Sequence, residues 1–417
     1  YEFIGWQNAA AQTELYADEA PVPAAWFVTD GQTVTLTALW LSLSVEAAAG
    51  SGYLPLLKVG DTGTLEAALD VTGGLATDIT WSTSDPAKVS VAAQGASCTL
   101  TAAASGTATI TATVTVAEIP ALSKTATFQA RAFDAAAAMA TSTNGTRTFI
   151  RVDSGDTAGY HEIHTFTANG SLNVTRPAAA GKTWLLLVAG GGGGGGATYP
   201  GGGGGAGGYG EDDAYTLPAG TYTVTIGTFG AAGNQGSNGG NGGDSSLAGG
   251  GITTIQVKGG GGGAFRSGPN QNRNGNAGGS CGGNAGYIAS RPVPSAGSGL
   301  APEKFFGNAG GSGNSGQAGD VGDYCGGGGG AGGPGTFTWA SNGGGYTRGQ
   351  GPGKKSWISG AEVTYAEGGP LSSDVGSNNV SWVPTRYGSG GQGGWNGAGG
   401  KGKSGIVIVR FAFVPAP

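Results

Sequence analysis

Apolar and polar residues alternate from Thr33 to Trp40, with Val34, Leu36, Ala38 and Trp40 on one face and the threonines on the other. Period two predicts a half-buried strand. The alternation returns at 59–65, 79–83, 89–91 and 104–112, broken by turn signals such as Ser84-Asp85-Pro86. That spacing predicts a β-sandwich over residues 49–131. Residues 132–159 are rich in Ala, Ser and Thr and read as a linker with one strand at 148–152. From Tyr160 the pattern changes. Residues 164–174 read as a hairpin, and 184–189 as an apolar strand that runs directly into glycine. Further strands are expected at 215–227 and 252–257, and a closing strand at 404–411.

Between those strands lies most of the glycine, which makes up 91 of the 417 residues. Runs such as 190–196, 201–205, 259–263 and 326–330 have no side chains for a core. Ordering each residue costs roughly 1–2 kcal/mol, and glycine loses the most. Such a stretch is either disordered or held by dense backbone hydrogen bonding. A disordered tail does not need buried-type strands at both ends, so order is expected. The expected form is an extended left-handed threefold helix rising about 3.1 Å per residue, packed against its neighbours on every side. The fold class is therefore mostly β, with the C-terminal strands framing polyglycine II helices.

Charge narrows the function. The net charge is −6, the pI is about 5.0 and no Lys/Arg block exists, which argues against nucleic acid as a partner. No apolar run approaches 18 residues, so no membrane insertion is expected. Three cysteines allow at most one internal disulfide, and Cys281–Cys325 is the better pairing because both lie in the glycine region. Cys98 alternates with Leu100 as a small buried hydrophobe. One methionine, few lysines and abundant Thr, Ser, Ala and Gly fit an extracellular surface.

Three stretches resemble known families. Tyr1, Phe3, Gly5 and Trp6, with the later Ala38-Leu39-Trp40, are similar to the second half of a Listeria–Bacteroides (internalin B-type) repeat over residues 1–41. That resemblance implies a β-grasp-like module of bacterial surface proteins. Its first strand and helix would come from chain before Tyr1 or from a neighbouring subunit. Trp81-Ser82-Thr83-Ser84-Asp85-Pro86 and Gly106-Thr107-Ala108-Thr109-Ile110-Thr111-Ala112 resemble the bacterial Ig-like group 2 family. This implies a spacer with Trp81 in its core and Ser84-Asp85-Pro86 setting a turn. The His-Thr-Phe-Thr strand at 164–167, the strand ending in polyglycine and the closing Gly-Ile-Val-Ile-Val-Arg-Phe at 405–411 resemble glycine-rich domains of bacterial surface proteins and phage tail fibres. The glycine-rich domain then covers 160–411, with a tail at 412–417. In phage adhesin tips, which it also resembles, packed polyglycine helices carry variable loops.

Motifs that spell chemistry have simpler explanations. Residues 397–404 fit the phosphate-loop pattern, but polyglycine precedes them and a strand follows, with no helix to supply amides. His161 and His164 lie on opposite faces of a strand, unsuited to joint zinc ligation. Glu211-Asp212-Asp213 read as a solvated turn rather than a calcium site. Asn144, Asn169, Asn173 and Asn379 begin glycosylation sequons. No enzyme, cofactor or metal is expected.

What remains is a set of aromatic and basic residues between glycine runs: Phe265, Arg266, Tyr287, Phe305, Phe306, Trp339, Tyr346, Trp357, Trp382, Tyr387 and Trp395. Aromatics with Arg are the usual composition of binding hot spots and suit stacking on sugar rings. The alternative is that several of them cap the glycine bundle as a small core. The expectation is a non-enzymatic adhesin or fibre segment, extracellular on a cell or virion surface. A spacer would present a domain that binds a host-surface glycan or protein receptor, beside further copies or segments of the same fibre. A phage tail-fibre component and a self-assembling filament subunit are the other readings.

Overall fold

A computed structural model describes residues 2–8, 15–16, 33–48, 56–72, 76–117, 119–136, 138–152, 158–268, 273–286, 292–312, 325–336, 349–371 and 382–413. The chain is almost entirely β and forms two compact units. One draws on Tyr1–Ala137 and Arg151–Tyr160, the other on Ala138–Ile150 and His161–Val414.

In the first unit the alternating segments pair into a six-stranded and a four-stranded sheet. Between the faces lie Leu65, Trp81, Val89, Leu100 and Ile110. Trp81 is 9% exposed, and its indole N–H donates to the Gly95 carbonyl at 3.0 Å, so its polar end is satisfied inside the core. The strand Leu36–Ala47 pairs antiparallel with Thr62–Val71, from Leu41 opposite Val71 to Ala47 opposite Leu65. The N-terminal strand Glu2–Asn8 thus continues the sandwich sheet, and Ile4, Leu39 and Leu41 pack with Val114 and Val116. Cys98 is fully buried, and burial pushes its thiol pKa up, as expected of a small core hydrophobe.

The second unit is built on a ten-stranded sheet. Its centre is the closing strand Ile406–Ala412, paired antiparallel with both Thr183–Val188 and Gly159–Val174. The expected hairpin at 164–174 is instead part of one 16-residue strand, Gly159–Val174. Gly170 does not take the positive φ of a hairpin turn, and a Cβ there would sit 2.1 Å from the Thr143 carbonyl oxygen. The strand changes partner instead: residues 161–166 pair with the closing strand and 170–174 with Gly220–Thr225. Ala140–Val152, read from the sequence mainly as linker, is a strand of this sheet.

Glycine occupies the space beyond the strand ends in extended segments whose backbone hydrogen bonds run mainly to neighbouring segments. The N–H groups of Gly190, Gly193 and Gly196 donate to carbonyls of Gly243, Gly240 and Ser237. Those of Gly191, Gly194 and Ala197 go to Lys403, Gly400 and Gly397, and those of Ala189, Gly192 and Gly195 to Gly208, Gly205 and Gly202. The carbonyls accept in the same rhythm, Gly191 and Gly194 from Gly230 and Gly233, Gly190 and Gly193 from Gly260 and Gly263, and Gly192 and Gly195 from Gly391 and Gly394. All these bonds are 2.8–3.0 Å long, and each partner recurs every third residue. The segment therefore has three donor-side and three acceptor-side neighbours. A Cβ at any of the seven positions 190–196 would lie 1.8–2.2 Å from a backbone carbonyl oxygen, so the packing itself excludes side chains.

At one edge, side chains replace a missing neighbour. Asn238, Asn241 and Asp244 accept the N–H groups of Phe265, Gly262 and Gly259 at 2.8–2.9 Å. Their spacing of three matches the threefold rhythm of the backbone they serve, and it was legible as Asn-Gly-Gly-Asn-Gly-Gly-Asp. Removing such an acceptor strands a part-buried donor, at about 1–3 kcal/mol. Asn241→Ala is expected to lose that much in urea unfolding, and Asn241→Asp, which keeps the acceptor, less. Equal losses would show that the acceptor is not what matters.

Candidate ligand-binding site

A cleft of about 540 Å³ opens on the second unit, within the usual range for ligand sites. Strand pairing builds its floor. Trp184 lies opposite Arg410 in the central pair, and Phe306 opposite Tyr209 at the sheet edge. The Arg410 guanidinium lies over the Trp184 ring, 4.9 Å from its centroid. Arg410 donates from Nε to His161 Nδ1 at 3.0 Å and from Nη1 to the Trp357 carbonyl at 3.3 Å. Burial pulls its pKa down, though a guanidinium remains charged.

One wall is the hairpin Lys354–Ser356 and Val363–Tyr365. Its tip turns at Trp357, whose carbonyl accepts the Gly360 N–H at 3.0 Å, and Gly360 takes φ +91°, a conformation that favours glycine. Ile358 is buried at 4% exposure and anchors the tip, leaving its neighbour Trp357 63% exposed at the cleft. Ser356 donates to Glu211 Oε1 at 2.5 Å, and the Tyr209 hydroxyl donates to Glu211 Oε2. Burial and the adjacent Glu211 charge push the Tyr209 phenol up, so it stays a donor. The hairpin is thus tied to the sheet at two adjacent residues, Ser356 through Glu211 and Trp357 through Arg410, a pre-organised geometry.

The charges in the cleft do not all cancel. Lys304 pairs with Asp213 at 3.1 Å and Asp212 at 3.4 Å, and Lys355 with Glu362 at 2.7 Å. Lys354 faces aromatic rings instead, 3.8 Å from the Phe306 centroid and 5.9 Å from that of Tyr209. Among the described residues, neither Lys354 nor Arg410 has a carboxylate partner.

Of the residues singled out from sequence, the cleft unites Phe306 and Trp357. Trp382 lies elsewhere, with Phe229 and Val383 in a more apolar cleft of about 470 Å³. Phe305 packs toward Gly297 and Gly210, Tyr387 packs against the core cluster under the sheet, and Trp395 is half-buried. Phe265 is half-buried beneath Arg273, whose guanidinium lies 4.5 Å from its ring centroid. Arg266 is 2% exposed and lies over Tyr199. Tyr287, Trp339 and Tyr346 lie outside the described residues. Trp184, Glu211, Lys354 and Arg410 were missed. Arg410 had a signal, because it ends the apolar face of Ile406 and Ile408 in a strand otherwise buried.

The expected Cys281–Cys325 disulfide is corrected: both are buried thiols that are not joined to each other. Cys325 bridges Ala285, while the carbonyl of Cys281 accepts from Gly329. The two cysteines are therefore out of register by four residues, about 12 Å along extended chain, beyond disulfide reach. Cys281 instead donates to the Pro292 carbonyl at 3.2 Å. Glu211-Asp212-Asp213 lie in the strand Tyr209–Tyr215 rather than in a turn. The phosphate-loop spelling is a bundle segment: the N–H groups of Gly399, Gly400, Gly402 and Lys403 donate to carbonyls of Gly233, Gln392, Gly230 and Ser389, so they are not presented to a phosphate.

Fold and cleft together describe a modular, mostly β protein in which a glycine-packed body carries a pre-organised cleft of aromatic and charged residues. Residues 167–412 match the glycine-rich domain model, more than half of the chain, and the chain belongs to that family. Residues 55–131 match the bacterial Ig-like domain (group 2). No curated protein matches the chain. An Ig-like domain beside a glycine-rich domain fits a surface or fibre-type protein, and among the described residues no helix is long and apolar enough to cross a membrane.

Proposed function

We propose that this chain is a non-enzymatic segment of an extracellular adhesin or fibre, whose glycine-rich unit binds a host-surface glycan or protein receptor. The observation that carries this reading is Trp357, held exposed on a hairpin tied to the sheet through Ser356 and the Trp357 carbonyl. An exposed indole on a rigid support loses little freedom on binding and offers a flat apolar face to a sugar ring. The Ig-like sandwich serves as spacer. The extended glycine segments are read as polyglycine II helices, which the threefold recurrence of their hydrogen-bond partners supports. The N-terminal strands are read as part of an internalin-type repeat, and the whole as standing beside further segments of the same fibre.

A glycan array and host-cell binding with the full chain test the reading. Trp357→Ala is expected to weaken binding roughly 30-fold, the effect of a hot spot of about 2 kcal/mol, without lowering the melting temperature. Failure of the parent protein to bind any glycan or host surface would remove the adhesin role.

A further inference from the structure

We infer that the second cleft of the glycine-rich unit, the one holding Trp382, takes an extended acidic peptide in the polyproline II conformation. This goes beyond the glycan-binding reading and does not rest on it.

Residues 400–404 form the floor of this cleft. They belong to a threefold segment, and two of its three donor sides are taken. Gly402 and Gly405 donate to the carbonyls of Gly230 and Gly227, and Gly400 and Lys403 to those of Gln392 and Ser389. Phe229 rises from the first of these neighbours. Trp382 is tied to the second, its N–H donating to Gln392 Oε1 at 2.9 Å. The third side belongs to the N–H groups of Lys401 and Ser404, which bond to none of the described residues. Both residues line the cleft, so the unused donor side runs along it between Phe229 and Trp382.

Charge and spacing choose the occupant. Lys401 and Lys403 line the cleft, and among the described residues no carboxylate does. Neither lysine is in an ion pair; Lys401 lies 5.7 Å from the Phe229 ring centroid and Lys403 6.0 Å from that of Tyr387. Glu367, on the segment beside Ser389, is taken by Arg386 at 2.5 Å. The two lysines stand beside different rings, so a chain with acids at several positions answers them better than one point charge. Donors three residues apart on a threefold helix are about 9 Å apart, and a polyproline II peptide returns a carbonyl to one face at the same interval. Its prolyl rings suit a groove bordered by aromatic side chains, and being extended before binding it loses little freedom. A single sugar ring does not reach both donors.

The test measures peptide binding to the full chain by fluorescence anisotropy at low salt. The probes are labelled peptides of three Pro-Pro-Glu, three Pro-Pro-Gln and three Gly-Ser-Glu repeats. The Pro-Pro-Glu peptide is expected to bind roughly tenfold more tightly than the neutral one, a preference that shrinks as salt rises. It should also outbind the Gly-Ser-Glu peptide, which has the same charge but is a flexible coil. Lys401→Gln should reduce the acidic preference, and Lys401→Arg should keep it. Ser404→Pro deletes one of the two N–H donors and should weaken binding about fivefold, whereas Ser404→Ala keeps the donor and should lose less. If Ser404→Pro also lowers the melting temperature, Lys401→Gln, at an exposed residue, carries the test. No binding, or equal binding of Pro-Pro-Glu and either control peptide, overturns the proposal and leaves the glycan reading as it stands. An acidic preference untouched by Lys401→Gln puts the peptide elsewhere and also overturns it. So does displacement of the peptide by methyl α-D-galacturonide, which would make the cleft a sugar site.

Discussion

Gly194→Ala is expected to destabilise the glycine-rich unit by about 4 kcal/mol or more, beyond the usual range for a point substitution. The added Cβ would sit 1.8 Å from the Gln392 carbonyl oxygen and 2.3 Å from its carbon. Both are backbone atoms, so no rotamer change relieves the overlap. Moving that segment away stretches the bonds from Gly391 to Gly192 and from Gly394 to Gly195 on either side. Overpacking in ordinary cores costs about 1–3 kcal/mol because side chains yield, whereas here the loss of backbone hydrogen bonds adds to it. At roughly 2–4 °C per kcal/mol for a unit of this size, the melting temperature should fall by about 8–16 °C. Gly397→Ala is the control, because its nearest heavy atom is the Trp395 carbonyl oxygen at 3.8 Å. It should stay within about 0.5 kcal/mol of the parent. In a disordered glycine tract both substitutions would be neutral or slightly stabilising, since alanine restricts the unfolded chain. The sign of the Gly194 effect in calorimetry therefore separates the two views of the glycine region.

Glu162→Leu should cost about 3–5 kcal/mol for a different reason. Glu162 is fully buried, and its carboxylate gathers three donors: the N–H groups of Met139 at 2.6 Å and Ala140 at 3.1 Å, and His164 Nε2 at 2.7 Å. This joins the strand Gly159–Val174 to the start of Ala140–Val152 on the face away from the cleft. His161 faces the other way, toward Trp184 and Arg410, as the alternation of the strand requires. Leucine fills the volume but leaves the Met139 and Ala140 N–H groups without an acceptor and the buried His164 with Ser142 alone. Glu162→Gln keeps one acceptor oxygen and should lose less. Urea unfolding measures both, and a Glu162→Leu loss under 1 kcal/mol would mean that water reaches this site.

Local patterns were legible where one strand faces one core. Trp81, Cys98 and Leu100 could be placed inside from alternation alone, because side chains in a strand change face at every residue. The closing strand was equally plain, being apolar on both faces and therefore central. Asn169-Gly170 failed as a hairpin signal because the strand Gly220–Thr225, downstream in the sequence, supplies the pairing that a turn would otherwise provide. The Asn169 side chain accepts the Ile226 N–H at 2.7 Å and so serves the sheet rather than a turn. Counting cysteines was equally blind to register. Cys281 and Cys325 lie on neighbouring glycine segments, but an offset of four residues separates them.

The composition of the chain alone determined that glycines 190–196 could have no core of side chains, and that any ordered form must be held by its backbone. Which segments surround that run, and in which direction each passes, was decided only by the tertiary structure, since glycine carries no side chain to encode a partner. The cleft divides the same way. Aromatic and basic residues in the insertions announced binding chemistry, but Trp184 meets Arg410 across strands more than 200 residues apart in sequence. That encounter depends on strand register, which no local pattern records, and among the described residues it leaves Arg410 bonded to His161 and the Trp357 carbonyl rather than to a carboxylate.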